Sequence, residues 1–397
     1  MEIVNGTTFF DKTNQTIKQY KYLDKNIKCD ILIIGGGIEG CILNYYLSKR
    51  YNVVLVDAKR ISRCSTCIAT ALLEFQLDKF ANDLSKYLSK KEIISIYRMG
   101  LKSIDSIEKF IKKYGNHCNF SKKSSFLYSN ESKDINKIKD EFIFRIQNNF
   151  NCIFYDKKTN PFCFDIKAGI LDKNGGAEFN PYLFAKQMIE NSSNQDNIYE
   201  NTKIIKIEQN CKEIECYTEY GNIIKANKII LATGFNTELI SERVKNLLSM
   251  QVSYSIVTNQ IFDIPLYNNV LIQDCLINYH YLRTLPDNRI IFGGEDTKYN
   301  GKIDKELSKR KYNSLLKNLQ KMFKNCKNID KNYEFCGIFA TTDNNLGIIG
   351  ESENKNILYF LSCGANGIIN SFCGVNIILD ILKGKENKFT KLFSPLR

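Results

Sequence analysis

The 397-residue sequence predicts an α/β fold, in which a helix-covered parallel sheet is interleaved with a smaller α+β domain of mixed sheet and helices. Three observations predict it. The apolar run CDILII (29–34) has the length and β-branched content of a buried strand, and it leads into the glycine turn GGGIEG (35–40). Helical spacing follows, and then a second strand-like run, NVVLVD (52–57), so the three pieces form a β-α-β unit whose sheet must be covered on both faces. Beyond it, short strand and helix patterns alternate without repeats or low-complexity linkers, which suits two interleaved domains better than two sequential ones.

Each element has its own local reason. Residues 1–26 are polar and aromatic without periodicity and read as an arm. Over 40–50, Ile42, Leu43, Tyr46 and Leu47 fall on one side of a helix. Between about 76 and 150 the spacing is helical: Ile93, Ile96, Tyr97, Leu101, Ile104, Ile107 and Ile111 recur at three or four, with Gly115 as a stop. A further helix carries Ile135, Ile138, Phe142 and Ile146, and Asn180-Pro181 reads as an N-cap and first helical position. Strands are expected near 203–207, 213–218 and 228–232, in a β-rich stretch from 251 to 294, and at 357–361. Amphipathic or apolar helices are expected over 307–323 and 367–382. On this reading residues 27–80, 165–250 and 333–397 make the nucleotide-binding domain, and 81–164 and 251–332 make the second domain.

Composition narrows the function classes. Hydrophobic residues at 43% and charged residues at 25% are ordinary for a globular chain. No apolar run reaches the roughly 18 residues of a membrane helix. The opening MEIVNGTTFF has no basic region followed by an apolar one, so a cytoplasmic protein is the expectation. The net charge of +13 is spread among acids, and no basic run or zinc-finger or RNA-binding signature accompanies it, so no nucleic-acid partner is expected. The 14 cysteines read as reduced, mostly buried thiols; only Cys64 and Cys67 form a CxxC, and with two histidines no metal site is expected.

The strongest chemical signal is Gly35-x-Gly37-x-x-Gly40, with Ile38 and Glu39 between the last two glycines. The first glycine permits the turn, the second lets backbone approach a pyrophosphate, and the third allows close helix packing. Asp57 ends the next strand 22 residues after Gly35, placed to accept hydrogen bonds from an adenosine ribose. The domain is thus Rossmann-like, although FAD and NAD both use this fingerprint.

Several segments in order decide between them. CDILIIGGGIEG, VVLVDAKRISRCSTCIATALLEFQLD, GGAEFNPYLFAKQM, KANKIILATGFNTE, TTDNNLGIIGE and YFLSCGANGIINSFCGVNIILDIL together resemble the D-amino-acid-oxidase-like family of FAD-dependent oxidoreductases, which includes glycine and sarcosine oxidases. The resemblance covers nearly the whole chain and implies a noncovalent FAD. It implies that Asp57 and Ala58 hold the adenosine ribose, that Ser65 and Thr66 line the pyrophosphate and ribityl path, and that the backbone at Lys203 and Ile204 touches adenine. It further implies that Ala232, Thr233 and Gly234 pack near the nucleotide. Gly364, Asn366, Gly367 and Ile368 would lie beside the flavin ring, at the N-terminus of the last helix.

For the substrate, Tyr279, Tyr281 and Arg283 alternate along one strand face, and two phenols with a guanidinium suit a carboxylate; the alternative is an exposed edge strand. Amino-acid-oxidising members of the family often carry an arginine shortly before a TxDGLPxIG-like segment, whereas this chain reads CGIFATTDNNLGIIGE, with Gly347 in place of the usual proline. Cys336 lies one residue out of register with a covalent flavin attachment point and reads as an ordinary buried cysteine. Cys64 and Cys67 read as a redox dithiol only if a second dinucleotide fingerprint feeds them, and the sequence has one. The resulting expectation is oxidation of the C–N bond of an amino acid or related amine, with hydride passing to flavin N5, on a small, carboxylate-bearing substrate. Two alternatives stay open: a dehydrogenase of a 2-hydroxy acid or amine that serves a non-oxygen acceptor, and a non-catalytic FAD-binding subunit. An electron-acceptor protein or a second copy of the chain remains open as partner. The resemblance also implies, for oxidases of the sarcosine type, a lysine over the flavin, and no counterpart is visible here.

Overall fold

The computed structural model describes residues 3–14, 18–209, 213–235, 238–262, 267, 269–326, 328–364 and 366–397. Among them the chain builds two sheets, one of eight strands and one of ten. The smaller runs in the order Ile348–Glu351, Ile357–Leu361, Ile223–Leu231, Ile27–Ile34, Val53–Val56, Ile198–Tyr199. From Ile357–Leu361 to Ile198–Tyr199 every neighbouring pair is parallel, with Ile33 facing Leu55 on one side and Ile230 on the other. Parallel strands need cover on both faces. Ile31, Ile33, Val53 and Leu55 pack against the helices Ile38–Leu47, Pro181–Glu190 and Gly367–Leu382. Leu32, Ile34, Val54 and Val56 pack on the other side with Ile204, Ile214 and Cys216, from the antiparallel strands Ile204–Gln209 and Ile214–Thr218.

The helix signals act as expected at several ends. Asn180 accepts hydrogen bonds from the Tyr182 and Leu183 amides with Pro181 in the first turn. Ser89 and Glu92 form a reciprocal capping box at the start of the 25-residue helix Lys90–Tyr114, and Gly115 ends it.

The larger sheet follows the order Val4–Gly6, Lys331–Thr341, Ser249–Thr258, Ile290–Lys298, His280–Thr284, Val270–Asp274, Ser121–Ser129, Ala168–Glu178, Leu72–Glu74, with Cys152–Asp156 also paired to Ala168–Glu178. It is antiparallel except where Val270–Asp274 runs alongside Ser121–Ser129. Ser121–Ser129 corrects the expectation of helix across 76–150. Its polar start, SKKSS, hides a central strand because Lys123 is buried in an ion pair with Glu178 at 3.1 Å on the neighbouring strand. Leu72–Glu74, Ala168–Glu178 and most of Lys331–Thr341 pair in this sheet, although they fall within 27–80, 165–250 and 333–397. The N-terminal arm is anchored here too: Val4–Gly6 adds an edge strand, and Phe9 and Phe10 are buried beside Val257, Leu285 and Phe335. Helix Lys305–Met322 covers one face with Tyr312, Leu315 and Leu319. The other face looks toward the smaller sheet. No helix among the described residues is long and apolar enough to cross a membrane.

Candidate active site

Between the two sheets lies a cavity of about 1050 Å³, at the upper end of the range for small-molecule and cofactor sites. One wall comes from the ends of the parallel strands. Gly35 takes φ +112°, and a Cβ there would stand 2.3 Å from the Ala232 carbonyl oxygen, so the turn requires glycine. A Cβ on Gly40 would stand 1.8 Å from the Gly35 oxygen, which explains how closely the helix Ile38–Leu47 is seated. Gly37 is different: its Cβ would meet only the Thr66 hydroxyl, at 3.6 Å, and would project into the cavity. A pyrophosphate against the helix N-terminus needs the space that a side chain at Gly37 would fill.

Asp57 fixes this turn. Its carboxylate accepts the Gly36 amide at 2.6 Å and the Lys59 amide at 2.7 Å, and each oxygen keeps a lone pair for a ribose hydroxyl. Burial pushes its pKa up, while the two amides pull it back down. The Thr66 hydroxyl accepts the Ile38 amide at 3.0 Å, tying the segment after the second strand to the first turn of the helix. Ile38, Glu39, Ala58, Ser65, Lys203, Ile204, Ala232, Thr233 and Gly234 all line the cavity, as do Gly364, Asn366, Gly367 and Ile368. Gly40 does not line it; it acts through packing. Glu39 accepts the Ser362 amide at 3.1 Å, and burial lifts its carboxyl to about 8.

At the last helix, a Cβ on Gly367 would lie 2.3 Å from the Ser362 oxygen, so the strand-to-helix turn is tight. The Asn366 amide donates to the Gln76 carbonyl, which ties the helix N-terminus to the segment after Leu72–Glu74.

The opposite wall is the inner face of the larger sheet. Ser253, Ser255, Gln273, Tyr281, Phe335, Gly337 and Phe339 reach the cavity from alternate positions of paired strands. The Tyr281 hydroxyl lies 3.3 Å from that of Ser253 and 3.2 Å from that of Ser255. Gly293 opposite leaves room for the ring, since a Cβ there would come within 2.4 Å of that hydroxyl. Tyr279 also lines the cavity and donates to Asp296 at 2.5 Å. Burial raises the pKa of both phenols, so both are neutral donors.

Arg283 shares the face of Tyr281, but it does not line the cavity, and this corrects its expected role in substrate binding. Its Nε donates to the Thr70 carbonyl at 2.6 Å, Nη2 to the Phe179 carbonyl at 3.0 Å, and Nη1 sits 3.3 Å from Glu178. Phe10 of the arm lies over the guanidinium at 5.6 Å. The group is 2% exposed and its charge is committed to internal partners. Cys336 points to the other side of the sheet, 3.5 Å from Ser308. Cys64 lines the cavity while Cys67 is buried, and burial raises both thiols, Cys67 to about 12, so neither has the low pKa of a reactive dithiol.

Sequence reasoning did not single out Glu74, Asp78, Ser253, Ser255 or Gln273. Only the serines carry a local signal: in VSYSIV they alternate with Val252, Tyr254 and Ile256 on an otherwise apolar strand.

Comparison with known proteins agrees with this geometry. The family described as FAD dependent oxidoreductase (DAO) matches residues 30–374. A Bacillus subtilis (strain 168) protein, YhfW, named after a Rieske 2Fe-2S iron–sulfur protein, is 22% identical over 393 residues, which is 97% of this chain and 75% of the relative. Gamma-glutamylputrescine oxidoreductase of Escherichia coli (strain K12) is 19% identical over 376 residues, 92% of this chain and 86% of that protein. The crystal structure of glycine oxidase from Geobacillus kaustophilus superposes with a TM-score of 0.78 at 17% identity, covering 93% of this chain and 99% of that one, which establishes a shared fold. With its glycine turn, its cavity and a match over most of its length, the chain belongs to the DAO family of FAD-dependent oxidoreductases.

Proposed function

We propose that the protein oxidises the C–N bond of an amino acid or related amine, with the substrate held between the flavin and the tyrosine wall. The observation that carries this reading is the single cavity in which the Gly35–Gly40 turn and the pair Tyr279 and Tyr281 face the same space. That a similar protein is a gamma-glutamylputrescine oxidoreductase supports a nitrogen compound as substrate. FAD, when bound, would supply a two-electron acceptor at its N5. The substrate gives up a hydride from carbon and a proton from nitrogen, and the imine that results is hydrolysed by water.

The chain's own residues supply position and field. Gly37 would leave room for the pyrophosphate of FAD, Asp57 would hold its ribose, and the N-terminal end of helix Gly367–Leu382 would set positive potential toward its ring. Tyr279 and Tyr281 orient the substrate through phenols that Asp296 and the serines hold in place.

Anaerobic mixing of the purified protein with a panel of amino acids, amines and 2-hydroxy acids tests the proposal. Loss of the oxidised flavin band with a nitrogen substrate is expected, and readmitted oxygen then tests the acceptor. Bleaching by hydroxy acids alone, or by nothing in the panel, refutes it.

A further inference from the structure

Strand Ile290–Lys298 reverses its faces next to the cavity. Gly293 lies beneath the Tyr281 ring, on the cavity side of the sheet. Strict alternation would send Glu295 to that side as well and turn Asp296 toward helix Lys305–Met322. The opposite is found. A β-bulge sets Glu295 and Asp296 across from the single residue Ser253 and exchanges their directions. Glu295 goes to the helix, where its carboxylate accepts the Ser314 hydroxyl at 2.6 Å, the Asn318 amide at 3.0 Å and the Lys311 ammonium at 3.2 Å. Asp296 goes to Tyr279, which lines the cavity, and accepts its phenol at 2.5 Å.

The bulge is built on two left-handed residues. Gly294 has φ +130°, and a Cβ there would stand 2.0 Å from the Tyr279 carbonyl oxygen, so the position requires glycine. Glu295 has φ +52°, which disfavours a residue with so long a side chain, yet the position carries a buried glutamate. Burial alone would raise its carboxyl, but His280, Ser314 and Lys311 hold it down at about 2, so it stays charged. The result grips Tyr279 at both ends. The Glu295 amide donates to its carbonyl at 3.1 Å, and Asp296 accepts its phenol. With that proton committed, the phenol oxygen offers the cavity a lone pair.

We infer that Glu295, which lies outside the cavity, is a positioning residue for Tyr279: its anchors on helix Lys305–Met322 hold the bulge that turns Asp296 onto the phenol. Fluorine NMR of the FAD-loaded protein labelled with fluorotyrosine reads the phenol directly, the resonance missing from Tyr279→Phe being that of Tyr279. Glu295→Ala is expected to move this resonance in the direction that Asp296→Asn moves it. Glu295→Gln, which keeps the Ser314 and Asn318 bonds, should leave it near the wild-type position. If Glu295→Ala does not fold, Ser314→Ala, which removes the shortest anchor, takes its place. A Tyr279 resonance that stays put when the anchors are lost overturns the inference.

The consequence for substrate binding rests on the C–N oxidation proposed above, and a second measurement separates the two. Glycine, proline and benzylamine are mixed with the FAD-loaded protein without oxygen. For whichever of them bleaches the flavin, Glu295→Ala is expected to raise the apparent Kd by about tenfold, the scale of one hydrogen bond, and to change the limiting rate by less than about threefold. In the Tyr279→Phe background the same substitution should add nothing, because Glu295 acts through that phenol. Additive losses overturn the inference and leave the oxidation intact. A displaced Tyr279 resonance with no bleaching by any nitrogen compound sinks the oxidation and leaves the positioning of Tyr279 standing.

Discussion

Replacing Arg283 separates a structural arginine from a substrate-binding one. Arg283→Met keeps most of the side chain's length and removes the charge. It leaves the Thr70 and Phe179 carbonyls without donors and removes one cation from Glu178, which keeps Lys123 at 3.1 Å. Breaking one partner out of a buried ion pair costs about 3–5 kcal/mol. Because Lys123 still neutralises Glu178, the lower half of that range, about 3 kcal/mol, is the expectation. Arg283→Lys retains a charge but not the planar fork that reaches two carbonyls and a carboxylate together, so a loss of about 1–2 kcal/mol is expected. Urea unfolding followed by fluorescence and circular dichroism measures both, with the midpoint falling in the order wild type, lysine variant, methionine variant. Substrate or inhibitor titration of the folded lysine variant should give an apparent affinity within about threefold of wild type, as for a residue outside the site. A lysine variant with an unchanged midpoint and a large loss of affinity would refute this reasoning and return Arg283 to the substrate.

Three further perturbations have defined outcomes. Gly37→Val should leave a folded apoprotein that holds no FAD, because its Cβ meets only Thr66 at 3.6 Å; Gly40→Ala, 1.8 Å from the Gly35 oxygen, should lose FAD and also more than about 2 kcal/mol of stability. Equal stability of the two variants would contradict this contrast. Burial acts to lower the pKa of His280, but the Asp274 carboxylate, hydrogen-bonded to Nδ1 at 2.8 Å, and the Glu295 carboxylate, 3.7 Å from Nε2, overcome it and raise the pKa from 6.5 to about 9. With the folded pKa above the unfolded one, this contribution is fully present below pH 6.5 and is lost as pH rises through about 9. It is on the order of 3 kcal/mol, and His280→Gln should flatten the Tm–pH curve across that window. Because burial keeps Cys64 and Cys67 protonated, iodoacetamide at neutral pH should label them slowly, and replacing both by serine should change flavin reduction by less than about twofold. A larger change would implicate the pair in electron transfer.

What the sequence disclosed and what it withheld divide along the range of the interactions. The first strand, the glycine turn and Asp57 are written within thirty residues, and the strand, turn and helix are the ones their spacing implies. The last helix begins at Gly367 for a local reason, the Ser362 oxygen leaving no room for a side chain. Strand Ser121–Ser129 was hidden because its polar half becomes tolerable only when Lys123 meets Glu178 across the sheet. Arg283 was legible as a residue on the face of Tyr281 but not as an occupied one. Its partners come from Thr70, Glu178 and Phe179, and its cover comes from Phe10, four positions that no local pattern joins to strand His280–Thr284. The same holds for the cavity wall. Glu74 and Asp78 stand in an unremarkable stretch, LEFQLD, and become a wall only when Leu72–Glu74 closes the edge of the larger sheet against Ala168–Glu178. Cofactor recognition by a turn is local chemistry and can be read along the chain. Which side chains face a substrate is set by pairings across the sheet, so it emerges only once the strands are in register.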